Sequence, residues 1–130
     1  MIIEVVGAVI RDADGRLLLA RKRGAGRFTL PGGKREPGED DLSALTRELA
    51  EELGVRLGSA ELIGRFKAPA ANEPGATVRS CVYGVRIAGT PAAAAEIEEM
   101  LWIDPAAPPA VPLAPLLSGQ ILPRLVAGDA

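Results

Sequence analysis

One segment limits what this chain can fold into more than any other. Residues 39–53 form the only long stretch with strong helical periodicity. Asp40 reads as the N-cap, and acidic residues crowd the first turn, where the helix macrodipole favours them. Leu42, Leu45, Leu49 and Leu53 recur at three- and four-residue spacing and make one apolar stripe. Gly54 follows as the left-handed residue that ends such a helix. Most of the remainder reads as strand: residues 2–10, 16–22, 61–68, 77–87 and 100–103. Asp12-Ala13-Asp14-Gly15 is a hairpin turn, residues 24–26 are a second break, and residues 28–30 are a short extended piece. That piece runs into Pro31-Gly32-Gly33, which is expected to be irregular. Residues 69–75 read as a loop, 92–98 as one or two helical turns, and 105–112 as a Pro/Ala-rich connector. A closing helix is expected over 113–122, broken by Pro123. Helices do not alternate regularly with strands. The expected architecture is therefore α/β with a mixed sheet packed between helices, in a single domain spanning 1–130.

Composition narrows the chemistry. The chain has no histidine, which removes a His-dependent triad, a His-rich zinc site and a histidine general base. A bound metal should then be hard and held by oxygen. The single cysteine, Cys81, forms no internal disulfide, reads as a small buried hydrophobe and suits a reducing cytoplasm. Net charge is −2, which gives no electrostatic footprint for duplex nucleic acid. The apolar start is interrupted by Glu4 without a basic leader, and no apolar run has the length of a membrane span, so a soluble, cytoplasmic protein is expected.

Glu48, Glu51 and Glu52 stand at i, i+3 and i+4, within roughly 100° of arc on one helix face. Three carboxylates so placed repel one another, and a divalent cation turns that repulsion into binding. Mg²⁺, or Mn²⁺ as a substitute, suits such oxygens and keeps several waters. Just before the helix, Gly32 and Gly33 permit close approach of a ligand, and the Gly32 carbonyl is a candidate neutral ligand. The chemistry expected of metal, phosphate and loop meeting here is attack by water on phosphorus. Taken singly, a glutamate-rich face is usually solvated and a Gly-Gly pair usually a plain turn.

The combination is more specific. Gly33, Glu39, Arg47, Glu48, Leu49, Glu51, Glu52, Gly54 and Val55 fit every position of the Nudix box. Seven fixed residues at roughly 6% frequency coincide by chance on the order of 10⁻⁸ to 10⁻⁹ times per start position. The chain thus resembles Nudix hydrolases of the MutT-like kind, and the strand order and late Trp102 extend the likeness along its length. The resemblance implies an α/β/α sandwich on a mixed sheet. It implies that Glu48, Glu51 and Glu52 hold the cations, with Gly32 offering its carbonyl and Glu48 at the position often cast as general base. Arg47 and Glu39 would form an ion pair that orients the catalytic helix. A further acid usually precedes the last strand; of Glu96, Glu98 and Glu99, the spacing of Glu96 from Trp102 resembles the MutT-like one.

Substrate contacts are less sharply marked. Arg21, Arg23, Arg27 and Lys34 are candidates for phosphate. Strand alternation puts Arg21 and Arg23 on one face and Lys22 on the other. Phe28, Phe66 and Tyr83 are the few rings able to stack on a base, with Phe28 the candidate substrate contact, although a ring of this kind is more often core. Asn72 and Glu73 lie in a loop placed to read a base edge. The expected activity is hydrolysis of a (deoxy)nucleoside triphosphate to the monophosphate and pyrophosphate by a monomer or homodimer. The alternatives are an ADP-ribose or nucleotide-sugar pyrophosphatase, commonly an intertwined dimer with an added N-terminal region, and a nucleotide-binding sensor without turnover. The sensor fits less well because all the box glutamates are kept.

Overall fold

The computed structural model describes residues 1–70 and 73–127. Strand β1 is Ile2–Val9, β2 Leu17–Lys22, β3 Gly32–Lys34, β4 Arg56–Pro69, β5 Thr77–Ala88 and β6 Ile97–Ile103. Helix α1 is Asp41–Leu53, and a π-helical turn at Leu117–Ile121 leads into α2, Leu122–Val126. Four strands form a mixed sheet in the order β3-β1-β5-β4; β1 and β5 are parallel, and the other two pairings are antiparallel. β2 and β6 pair separately as an antiparallel ribbon.

Apolar side chains of successive strand residues go to opposite faces, and this divides the core in two. Val6, Ala8, Ile10 and Leu18 pack beneath α1, against Ala44, Leu45, Leu49 and Leu53. Val9, Leu17, Leu19, Phe66 and Val82 point the other way, onto Leu117, Ile121, Leu122 and Leu125. The strands therefore lie between two helical layers, as expected of an α/β/α sandwich. Among the described residues no helix is long and apolar enough to cross a membrane.

Several local expectations are corrected. Pro31-Gly32-Gly33 is not irregular, because Gly32 and Gly33 open β3, with Gly32 opposite Gly7 of β1. Gly32 has φ +141°, and a Cβ there would stand 2.0 Å from the Val6 carbonyl oxygen, so only glycine lets the strands close. Leu42 is half exposed, and Ala44 completes the apolar stripe in its place. β4 begins five residues earlier than predicted because irregularities in its pairing with β5, near Gly58 and Ile63, carry the ladder past the polar Ser59-Ala60-Glu61 run. Residues 92–98 are not helical. The Ala92 and Ala94 amides donate to the Leu53 and Glu52 carbonyls, so this segment satisfies the open end of α1 instead of bonding to itself. Pro123 does not break the last helix but lies within the first turn of α2. The π turn before it, closed by the Leu122 amide on the Leu117 carbonyl, widens the backbone where a proline ring would otherwise meet the carbonyl four residues back.

Candidate active site

Helix α1 is fixed at both ends by its own sequence. The Asp40 carboxylate accepts the Ser43 amide at 2.8 Å, and Gly54 closes the other end at φ 67° with its amide on the Ala50 carbonyl. Leu45, Leu49 and Leu53 are fully buried, and this fixes the rotation of the helix. That rotation carries Glu48 and Glu52 inward beside β3 and leaves Glu51 at the surface.

Glu52 is 1% exposed. Its Oε1 accepts the Gly32 amide at 3.1 Å, while its Oε2 is buried with no hydrogen-bond partner. Burial pushes the carboxyl up to about 7, and the neighbouring Glu48 adds to the rise; the Gly32 amide and Lys22 oppose it. Glu48 lies against the backbone of Gly33, where a Cβ would come within 2.5 Å of Glu48 Oε2. The glycine pair thus serves three contacts: β1 on one side, and Glu48 and Glu52 on the other.

Arg47 ties the helix to the preceding loop. Its guanidinium donates to Glu39 through Nε at 2.8 Å and Nη2 at 2.9 Å, to Glu48 Oε1 through Nη1 at 2.5 Å, and to the Lys34 carbonyl at 3.1 Å. Side-chain bonding to Arg47 holds the Glu39 carboxyl down to about 2, and Glu39 in turn raises the guanidinium further. Glu39 also accepts the Glu36 amide, closing the loop that leads into α1.

Glu96 reaches the same place because its segment is pinned to the end of α1. Its Oε1 is 3.4 Å from Lys22 Nζ, and the same ammonium is 3.7 Å from Glu52 Oε2. Lys22, expected to face away, is therefore the strand-end cation that faces the carboxylates. Arg21 bonds Glu98, Glu99 and the Ala25 carbonyl, and Arg23 pairs with Glu98. The parity of β2 carried this signal, since Leu18, Ala20 and Lys22 share a face and Leu18 packs under α1. Arg27 is exposed and donates to the Leu113 carbonyl at 3.4 Å.

A cavity of about 320 Å³ opens beside the carboxylates, with Lys22, Gly32, Gly33 and Lys34 on one side and Val78, Ser80 and Leu116 among its other walls. Its size suits a small ligand. Phe28 does not reach it as a stacking platform: it is 5% exposed in the core, and the Arg21 guanidinium stands 5.8 Å from its ring centroid. Phe66 is also core, and the Tyr83 hydroxyl donates to Asp41 at 2.6 Å. Asn72 lies outside the described residues.

No group of three or more His, Cys, Asp or Glu side chains among the described residues is already gathered closely enough to hold an ion. Arg47 and Lys22 occupy oxygens that a cation would use. The donor set nonetheless fits a hard divalent ion, with a buried carboxylate oxygen that accepts no hydrogen bond and two more glutamates on the same helix.

Comparison with known proteins identifies the family. The NUDIX domain profile matches residues 1–125. The chain is 34% identical over 108 residues to a Mycobacterium tuberculosis protein provisionally named 8-oxo-dGTP diphosphatase 2, covering 80% of this chain and 74% of that one. It is 45% identical over 65 residues to the CTP pyrophosphohydrolase of Escherichia coli, covering 47% of each. It is 42% identical over 65 residues to a MutT-like protein of Streptomyces ambofaciens, covering 50% of this chain and 42% of that one. The last two matches span less than half the relatives' length. The crystal structure of a MutT NUDIX hydrolase from Burkholderia pseudomallei superposes with a TM-score of 0.79 at 30% identity, over 94% of this chain and 95% of that one. With the profile across nearly its whole length and a full set of box residues around one buried glutamate, the chain belongs to the Nudix hydrolase family.

Proposed function

We propose that this protein hydrolyses a (deoxy)nucleoside triphosphate to the monophosphate and pyrophosphate with Mg²⁺, residues 1–130 acting as one catalytic unit in the cytoplasm. The observation that carries this reading is the buried Glu52, with one oxygen on the amide of Gly32, a residue of the cavity wall, and the other accepting no hydrogen bond. A bound divalent cation would polarise the phosphoryl oxygens and make a water acidic enough to attack phosphorus. Glu48, Glu51 and Glu52, with the Gly32 carbonyl and Glu96, are the proposed ligands, and Mn²⁺ would serve in place of Mg²⁺. Glu48 is the proposed acceptor of the water's proton. The Arg47–Glu39 pair fixes where Glu48 points, so it acts by geometry. Lys34 and Lys22, at the cavity wall, would meet the phosphates. The CTP and 8-oxo-dGTP in the relatives' names support a triphosphate over a sugar diphosphate. Arg21, Arg23 and Arg27 are bonded elsewhere in the structure and contribute less to this reading.

The test is turnover of a panel of nucleoside triphosphates, ADP-ribose and nucleotide sugars with Mg²⁺, read as phosphate after coupling to inorganic pyrophosphatase or to a phosphatase. Phosphate that appears only with pyrophosphatase, from a triphosphate, is the expected result. Turnover of ADP-ribose alone, or of nothing, would overturn the assignment.

A further inference from the structure

Lys22 has a geometry that no residue of the Nudix box accounts for. Its ammonium lies 3.7 Å from Glu52 Oε2 and 3.4 Å from Glu96 Oε1. Both separations exceed a normal N–H···O hydrogen bond, so the ammonium sits as a point charge between two acids and is bonded tightly to neither. Glu52 Oε2 has no other partner. The neighbouring arginines are engaged elsewhere: Arg47 with Glu39 and Glu48, Arg21 with Glu98 and Glu99, and Arg23 with Glu98. Lys22 is also 38% exposed on its side chain and lines the cavity, so its flexible four-carbon stem has room to turn.

We propose that Lys22 is a built-in counter-ion for Glu52 and Glu96. It offsets the charge of the two carboxylates in the metal-free protein, a divalent cation displaces it, and its ammonium then turns into the cavity toward the anionic part of the substrate. One side chain would thereby link cation entry to the charge presented to the phosphates. The inference rests on the reading that Glu52 is a cation ligand.

The test is Mn²⁺ binding without nucleotide at pH 8, by calorimetry or by the signal of free Mn²⁺ in electron paramagnetic resonance. Lys22→Met should bind Mn²⁺ about fivefold more tightly than wild type, the size expected from losing two long, partly exposed ion pairs. Lys22→Arg, whose planar fork holds carboxylates more firmly, should bind it more weakly than wild type. A merely structural lysine would not move the two variants in opposite directions. In the presence of saturating Mn²⁺, Lys22→Met should also bind a non-hydrolysable nucleotide less tightly. Glu52→Gln separates the two claims. If wild type binds Mn²⁺ and Glu52→Gln loses that affinity while Lys22→Met matches wild type, Lys22 is no counter-ion although the cation site stands. If wild type binds no Mn²⁺, both readings fail together.

Discussion

Replacing Glu52 by glutamine should make the metal-free protein more stable while slowing the enzyme, and the stability effect should depend on pH. The Glu52 carboxyl rises from 4.5 to about 7 because it is buried. Its folded value lies above its unfolded one, so its stabilising contribution is complete below 4.5 and is lost as pH rises through about 7. At about 1.4 kcal/mol per pH unit, that gap sets a ceiling of roughly 3 kcal/mol. Glutamine keeps an oxygen for the Gly32 amide but puts an NH₂ where Oε2 accepts no hydrogen bond and faces the Lys22 ammonium, which costs about 1–2 kcal/mol. The net gain at pH 8 should therefore be about 1–2 kcal/mol, and at pH 5 the variant should be equal to or slightly below wild type. Glu39 does not confuse the measurement. Its carboxyl is held down to about 2, so its contribution is complete above 4.5 and is lost only as pH falls toward 2. The assay is urea denaturation in EDTA at four pH values from 5 to 8, alongside thermal melts in which 1 kcal/mol moves Tm by about 3–5 °C. Parallel stability–pH curves for the two proteins would refute the argument. In the same preparation kcat with Mg²⁺ should fall more than about tenfold, the consequence of losing a proposed ligand of the cation.

Arg47→Lys keeps the charge but loses the fork that bonds Glu39 and Glu48 together; kcat should drop at least about tenfold with KM and Tm little changed. Leu45→Ala should cost about 2–5 kcal/mol in denaturant titration, and Leu42→Ala, half exposed one turn earlier, under about 1. Gly32→Ala should destabilise by at least about 3 kcal/mol because its Cβ would overlap the Val6 carbonyl, whereas Gly38→Ala, also at positive φ but in open space, should cost only about 1.

Features encoded within a few neighbouring residues were legible in the sequence. The cap at Asp40, the stop at Gly54 and the shared face of Glu48 and Glu52 follow from spacing along one helix, and the Arg47–Glu39 pairing from the family resemblance. Features set by a distant partner were not. Gly32 and Gly33 form a strand only because β1 comes alongside. The amides of 92–94 look free for a helix until the end of α1 is brought to them. Phe28 lies in the core and Lys22 beside the carboxylates for the same reason. Alternation sorts side chains into two faces, but only the packing of Leu18 under α1 says which face holds the carboxylates. The burial of Glu52 was illegible too, because an acid beside leucines on a helix normally finds water.

The wide turn at Leu117–Ile121 bears on how this chain can change length. Such a turn houses one surplus residue while leaving the helix before and after it in phase. Deleting Gly119 would leave Leu122 and Leu125 facing the same neighbours, and the sole obstacle would be the Pro123 ring pressed against a backbone oxygen. The surplus residue and the proline are thus mutually dependent, so a homologue that drops one is expected to have replaced the other.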